Sequence, residues 1–273
     1  MRIVAVSGPH DEAEATVDRL ADRLTAEGAV VVVSDADEGN GPTSPDLGAV
    51  RSRYAVGEGR FRGTEPGGLE AVLDRLASDH EFAVLTGFPE TDVPRVLVGT
   101  ERGDTDDEQV IAVAHRAETL DLDRVVGALA ERRPHETLQS LVTAVKDSPA
   151  ADRAGAIATF TGRVRAHDTP DDPRTEHLEF DAHEGLAERR LADLRSDLES
   201  REGVLAVRLH HRRGVVEAGE DIVFVVVLAG HRAAAFGAVE DGIDRLKSEV
   251  PLFKREVTVE GEFWAHQHDD DAV

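Results

Sequence analysis

The hydrophobic positions fall into short runs separated by charged stretches. Arg2 to Ser7 carries Ile3, Val4, Ala5 and Val6 in succession and reads as a buried strand. Residues 11–27 place Ala15, Val17, Leu20, Ala21 and Leu24 on one helical face and stop at Gly28. Ala29–Ser34 is a second β-branched run, so the opening predicts a parallel β-α-β unit. Residues 35–67, rich in Gly, Pro, Asp and Ser, predict a long loop. A helix is expected over Leu69–Ala77 and strands over Glu81–Thr86, Arg95–Gly99 and Val110–Ala114. Leu122–Arg132 predicts a closing helix.

Arg133-Pro134 marks a domain boundary, giving domains of 1–134 and 135–266 and an acidic tail over 267–273. In the second half His135–Asp147 is expected helical, Gly155–Val164 a strand and Thr169–Arg174 a loop. Thr175–Ala182 alternates as a strand. Glu184–Arg201 is a charged helix with Leu186, Leu191, Leu194 and Leu198 inward. Val204–Leu209 and Asp221–Ala229 are strands, the latter expected fully buried. Arg232–Lys247 is a helix that Pro251 prevents from continuing, and Phe253–Val259 is a strand. The fold class is α/β: a parallel domain followed by an α+β domain.

Composition changes this picture in three ways. The 31 basic and 55 acidic residues give a net charge of −24, which argues against nucleic-acid binding. No apolar run approaches the roughly 20 residues of a membrane span, and the N-terminus opens as a strand rather than a signal peptide; the expected location is cytoplasmic. The chain has no cysteine, which removes disulfides, thiolate metal sites and cysteine nucleophiles. Of the 31 basic residues only Lys146, Lys247 and Lys254 are lysines. Acidic excess with lysine depletion reads as halophilic adaptation, in which screening weakens carboxylate repulsion. The charge then reflects the solvent more than a partner, and each remaining lysine becomes a candidate functional group.

Three clusters carry candidate chemistry. In Gly162-Arg163-Val164-Arg165, two arginines at i and i+2 on a strand end face the same way and can meet one anion; a solvated strand end is the plainer account. Ala229-Gly230-His231-Arg232 puts a His and an Arg at a helix N-terminus, whose free N–H groups favour anions; capping is the plainer account. In Leu246 to Glu256, Lys247 lies in a last helical turn and Lys254 starts the next strand. A Pro-terminated turn can bring both amines to one pocket, where one ammonium disfavours the other. Complementing the helix C-terminus is the plainer role for Lys247. His210-His211 lacks a carboxylate–His ligand pattern, so no metal site is expected there.

The order GAIATFTGRVR (155–165), HHRRGVVEAGEDIVFVVVLAGHR (210–232), LKSEVPLFKRE (246–256) and GEFW (261–264) resembles the MoaE family, the catalytic large subunits of molybdopterin synthase. The resemblance spans about residues 135–266. It implies an α/β hammerhead-type fold, a homodimer within a heterotetramer, and transfer of two sulfurs to cyclic pyranopterin monophosphate to form the dithiolene of molybdopterin. It implies a small ubiquitin-like partner whose C-terminal Gly-Gly thiocarboxylate donates the sulfur. No cofactor is implied for the catalytic domain. The essential lysines of the family fall on Lys247 and Lys254, and its anion-pocket residues on Arg163, Arg165, His231 and Arg232. Arg255 and Glu256 continue the lysine motif, and Phe160 matches an aromatic near the pocket. One departure is Phe263 before Trp264, where many relatives have a basic residue.

The first half resembles the P-loop adaptor of molybdopterin-guanine dinucleotide biosynthesis (MobB-like) through Thr86-Gly87-Phe88 and Pro94-Arg95-Val96-Leu97-Val98. The phosphate loop is degenerate. After Ser7-Gly8-Pro9-His10, Glu14 and Ala15 occupy the end of the pattern where a phosphate-binding lysine would be needed. Weak or absent nucleotide binding is therefore expected. Two alternatives stay open: a non-catalytic scaffold of cofactor assembly, and a nucleotide-binding protein.

Overall fold

The computed structural model describes residues 1–35, 53–57, 60–64, 68–100, 107, 109–182 and 185–265. Two compact units divide at Thr137–Leu138.

The first unit contains β1 (Arg2–Ser7), α1 (His10–Leu24), β2 (Val30–Ser34), β3 (Arg53–Gly57), β4 (Arg60–Thr64), α2 (Leu69–Leu76), β5 (Phe82–Thr86), β6 (Arg95–Val98), β7 (Val110–Ala114) and α3 (Leu122–Glu131). Five of these strands form a parallel sheet in the order β2-β5-β1-β6-β7. The central strands β1 and β5 bury Val4, Ala5, Val6 and Ala83, Val84, Leu85, which is why both read as continuous apolar runs. α1 turns Ala13, Val17, Leu20 and Leu24 onto one face of the sheet, and α3 adds Val125 and Leu129.

Two expectations are corrected here. The 35–67 segment contains the hairpin β3-β4, whose short strands carry too few apolar residues to stand out from their Gly- and Asp-rich surroundings. The helix expected from His135 begins at Leu138 instead. His135 exchanges backbone hydrogen bonds with Met1 in both directions, at 2.7 and 3.0 Å, which ties it outside the helix.

The second unit contains α4 (Leu138–Lys146), β8 (Ala156–Arg163), β9 (Thr175–Ala182), α5 (Leu186–Glu199), β10 (Val204–His211), β11 (Gly214–Glu217), β12 (Asp221–Ala229), α6 (Arg232–Glu249), β13 (Leu252–Thr258) and β14 (Gly261–Ala265). One antiparallel sheet has the order β10-β12-β8, and the other the order β11-β9-β13-β14. β12 is covered on both faces. Val223, Val225, Val227 and Ala229 meet α5 and α6, while Phe224, Val226 and Leu228 meet α4. Burial on both faces explains its unbroken apolar sequence. Leu194 and Leu198 of α5 are buried as expected, whereas Leu186 begins the helix and lies exposed.

Candidate functional site

α6 buries a stripe of Ala235, Ala238, Val239, Ile243 and Leu246 against β12 and β8. Gly242 lets the helix approach closely, since a Cβ there would stand 3.1 Å from Val225. The helix ends where Val250 and Leu252, both buried, carry the chain through Pro251 into β13. Lys247 sits in the last helical turn beside Leu246 and is exposed, with no hydrogen-bond or ion-pair partner among the described residues. Lys254 follows on β13.

Side chains alternate along β13, and register settles their faces. Lys254 stands directly across from Phe180, and Glu256 across from Leu178. Leu178 and Phe180 belong to a small core with Val164 and Val216, so Lys254 and Glu256 share the inner face. The Lys254 Nζ lies 4.0 Å from Glu256 Oε2, and both side chains are about one quarter exposed, at 27% and 22%. The buried hydroxyl of Thr175 donates to the other oxygen of Glu256.

Arg255 occupies the outer face. It pairs with Glu179, directly across on β9, and with Glu262 at 2.8 Å. These carboxylates hold its guanidinium more firmly charged than usual, Glu179 contributing most. Arg255 and Lys254 thus adjoin in sequence and diverge in space.

The two arginines of the Gly162 cluster also part company. β8 ends at Arg163, which pairs with Asp221 at 3.1 Å and donates to the Gly219 carbonyl. Val164 is buried, and Arg165 lies beyond the strand, where it pairs with Asp168 at 3.0 Å. Phe160 packs partly buried against the main core of this unit, and the path of β8 past β12 requires Gly162, because a Cβ there would meet Val223 at 2.5 Å.

His231 is the N-cap residue of α6 and Arg232 its first helical residue; both are exposed. Lys247 lies fifteen positions after Arg232 along the helix, about 22 Å along the axis. The His231-Arg232 pair and Lys247 thus stand near opposite ends of α6.

Sequence reasoning missed Thr175, Asp221 and Glu179, which became visible as partners only through strand register. It set His211 aside with the strand end. Its Nδ1 donates to the Arg212 carbonyl at 2.6 Å, and its ring packs edge-on against Phe180. Burial, above all, lowers its pKa to about 4.

In the first unit, α1 starts two residues after β1. A Cβ on Gly8 would lie 2.3 Å from the Val98 carbonyl oxygen, and one on Gly99 would lie 2.4 Å from the Pro9 ring. The turn is filled by the protein itself. Glu12, in the first turn of α1, accepts a hydrogen bond from the Ala117 N–H at 2.7 Å.

Residues 130–249 match the family described as MoaE protein. A protein of Haloferax volcanii named probable molybdopterin synthase is 45% identical over 252 residues, covering 90% of this chain and 94% of that one. The molybdopterin synthase catalytic subunit of Yersinia pestis is 39% identical over 122 residues, covering 45% of this chain and 80% of its own length. A solved molybdopterin synthase structure from Staphylococcus aureus aligns at 29% identity with a TM-score of 0.43, covering 49% of this chain and 93% of that one. With a relative this similar along almost its whole length, the chain belongs to the MoaE family of molybdopterin synthases.

Proposed function

We propose that this chain is the catalytic subunit of a molybdopterin synthase. It transfers sulfur from the thiocarboxylated C-terminus of a small ubiquitin-like subunit to cyclic pyranopterin monophosphate, forming the dithiolene of molybdopterin. The observation that carries this reading is the α6–β13 corner, where two of the chain's three lysines flank one turn and Lys254 is set beside Glu256 on the inner sheet face. Sulfur arriving as an acyl thiocarboxylate passes through tetrahedral oxyanion species. A lysine ammonium can stabilise the oxyanion and return a proton to the leaving group. Neither role requires a cysteine in this chain.

The substrate phosphate suits His231, Arg232 and the free N–H groups at the start of α6. Because about 22 Å of helix separates that end from Lys247, the complete site is built from two copies: one supplies the lysines, the other the His231-Arg232 end. In this reading the assembly is a homodimer carrying one small subunit per copy, a heterotetramer.

The first unit acts as a degenerate, MobB-like scaffold. Its all-parallel sheet with α1 directly after β1 supports the relationship, and the filled turn at Gly8-Pro9 leaves no cradle for a phosphate.

A reconstituted assay with purified thiocarboxylated small subunit, run at molar salt, tests the proposal. Wild type should convert precursor to molybdopterin, and Lys254→Ala should lose at least about a hundredfold in rate. Full activity in Lys254→Ala overturns the mechanism.

A further inference from the structure

We infer that Thr175 is a positioning residue for Lys254, acting through Glu256; this rests on the catalytic reading of Lys254 above. The starting point is an irregularity in the β9–β13 ladder. Lys254 pairs with Phe180, Glu256 with Leu178 and Val257 with His177, but Thr258 pairs with Thr175 rather than Glu176. In an unbroken ladder Glu176 would follow Leu178 on the inner face, and Thr175 would point outward. The extra residue reverses this order. Glu176 is exposed and Thr175 is 4% exposed. Bulges re-aim side chains in this way. Here the outcome is that a neutral hydroxyl, not a second carboxylate, stands on the face that carries Lys254.

Buried hydroxyls require a partner, and that of Thr175 donates to Glu256 Oε1. Strand geometry alone would leave the Glu256 carboxylate free to rotate about its side-chain bonds. Thr175 is β-branched and stiff, so its hydrogen bond selects one orientation. In that orientation Oε2 faces the Lys254 ammonium at 4.0 Å. Thr175 thus fixes the carboxylate, and the carboxylate fixes the amine.

The test uses the full chain, as wild type and as Thr175→Val, Thr175→Ser, Glu256→Gln and the Thr175→Val/Glu256→Gln double variant. With only three lysines, Lys254 can be assigned by NMR of the lysine ε-methylene groups, using Lys146→Arg and Lys247→Arg. A held Lys254 gives two inequivalent ε protons. Thr175→Val, which keeps the shape and loses the hydroxyl, should merge them while the other two lysines do not change. Glu256→Gln, which keeps the shape and loses the charge, should do the same, and Thr175→Ser should restore the wild-type signal. In sulfur transfer, Thr175→Val should lower kcat on the order of tenfold, with KM within about twofold. Combining it with Glu256→Gln should cost no more than Glu256→Gln alone. An unchanged Lys254 signal in Thr175→Val overturns the inference whatever the activity. Because the NMR readout is independent of turnover, an inactive wild type would overturn the functional reading without deciding this one.

Discussion

His211 packs edge-on against Phe180, with ring centroids 4.7 Å apart and planes at 73°, and Phe180 stands directly across the sheet from Lys254. The imidazole is thereby part of the wall behind the candidate lysine. Burial lowers its pKa to about 4, from an ordinary value of 6.5. The unfolded chain therefore takes up a proton at higher pH than the folded chain. The stability contributed by the neutral ring is complete above pH 6.5 and is lost progressively as pH falls toward 4. The full loss is roughly 3 kcal/mol. Urea midpoints for the second unit should drop between pH 6.5 and 4, and His211→Phe should flatten that part of the profile. The same slope in the variant would remove His211 as its cause.

How much of this was legible in advance depends on what specifies each element. β12 is legible to the residue because both of its faces are buried, and only a long apolar run can satisfy that. Thr175–Ala182 was read equally well from its alternation. The hairpin β3-β4 and the short strands β11 and β14 escape such a reading, since Gly, Arg and Glu break up or bound their apolar stretches, whereas the equally short β2, β5 and β7 carry runs of four or more apolar residues. At the site, the scarcity of lysine singled out Lys247 and Lys254. Arg255 continues the lysine motif in sequence, yet neighbouring strand residues face opposite sides, and register sets it across from Glu179 on the other face. Thr175 stayed hidden because its direction is set by a bulge that no local pattern announces.

Gly8 and Gly99 interlock at the end of the parallel sheet. A Cβ at Gly8 would press on backbone, the Val98 carbonyl, which cannot move aside as a side-chain tip can. Gly99 combines a left-handed φ of 73° with contact to Pro9. Gly8→Ala and Gly99→Ala should each destabilise the first unit by about 1–3 kcal/mol. Thermal melts of the two variants provide the measurement, and unchanged melting would mean that this turn opens readily.

Arg255 offers a contrast to Lys254 one residue away. Its partners Glu179 and Glu262 lie on the outer face, so Arg255→Ala should break surface ion pairs and leave the inner face intact. Sulfur transfer in that variant should stay within about twofold of wild type at molar salt, where such pairs are already screened. A loss comparable to that of Lys254→Ala would place Arg255 in contact with the substrate or the small subunit.

The two ends of α6 give the most direct check on how the site is assembled. If Arg232 and Lys247 of one copy serve different sites, two individually inactive variants can rescue each other. Mixing and re-equilibrating His231→Ala/Arg232→Ala with Lys254→Ala yields hybrid dimers in about half of the population. Each hybrid holds one site with both defects and one site with neither. Activity should therefore rise to about one quarter of wild type from near zero in either parent. A site contained within one copy predicts no recovery, since every copy would keep its own lesion. The about 22 Å between the helix ends makes recovery the expected result, and a flat titration across mixing ratios would refute the two-copy arrangement.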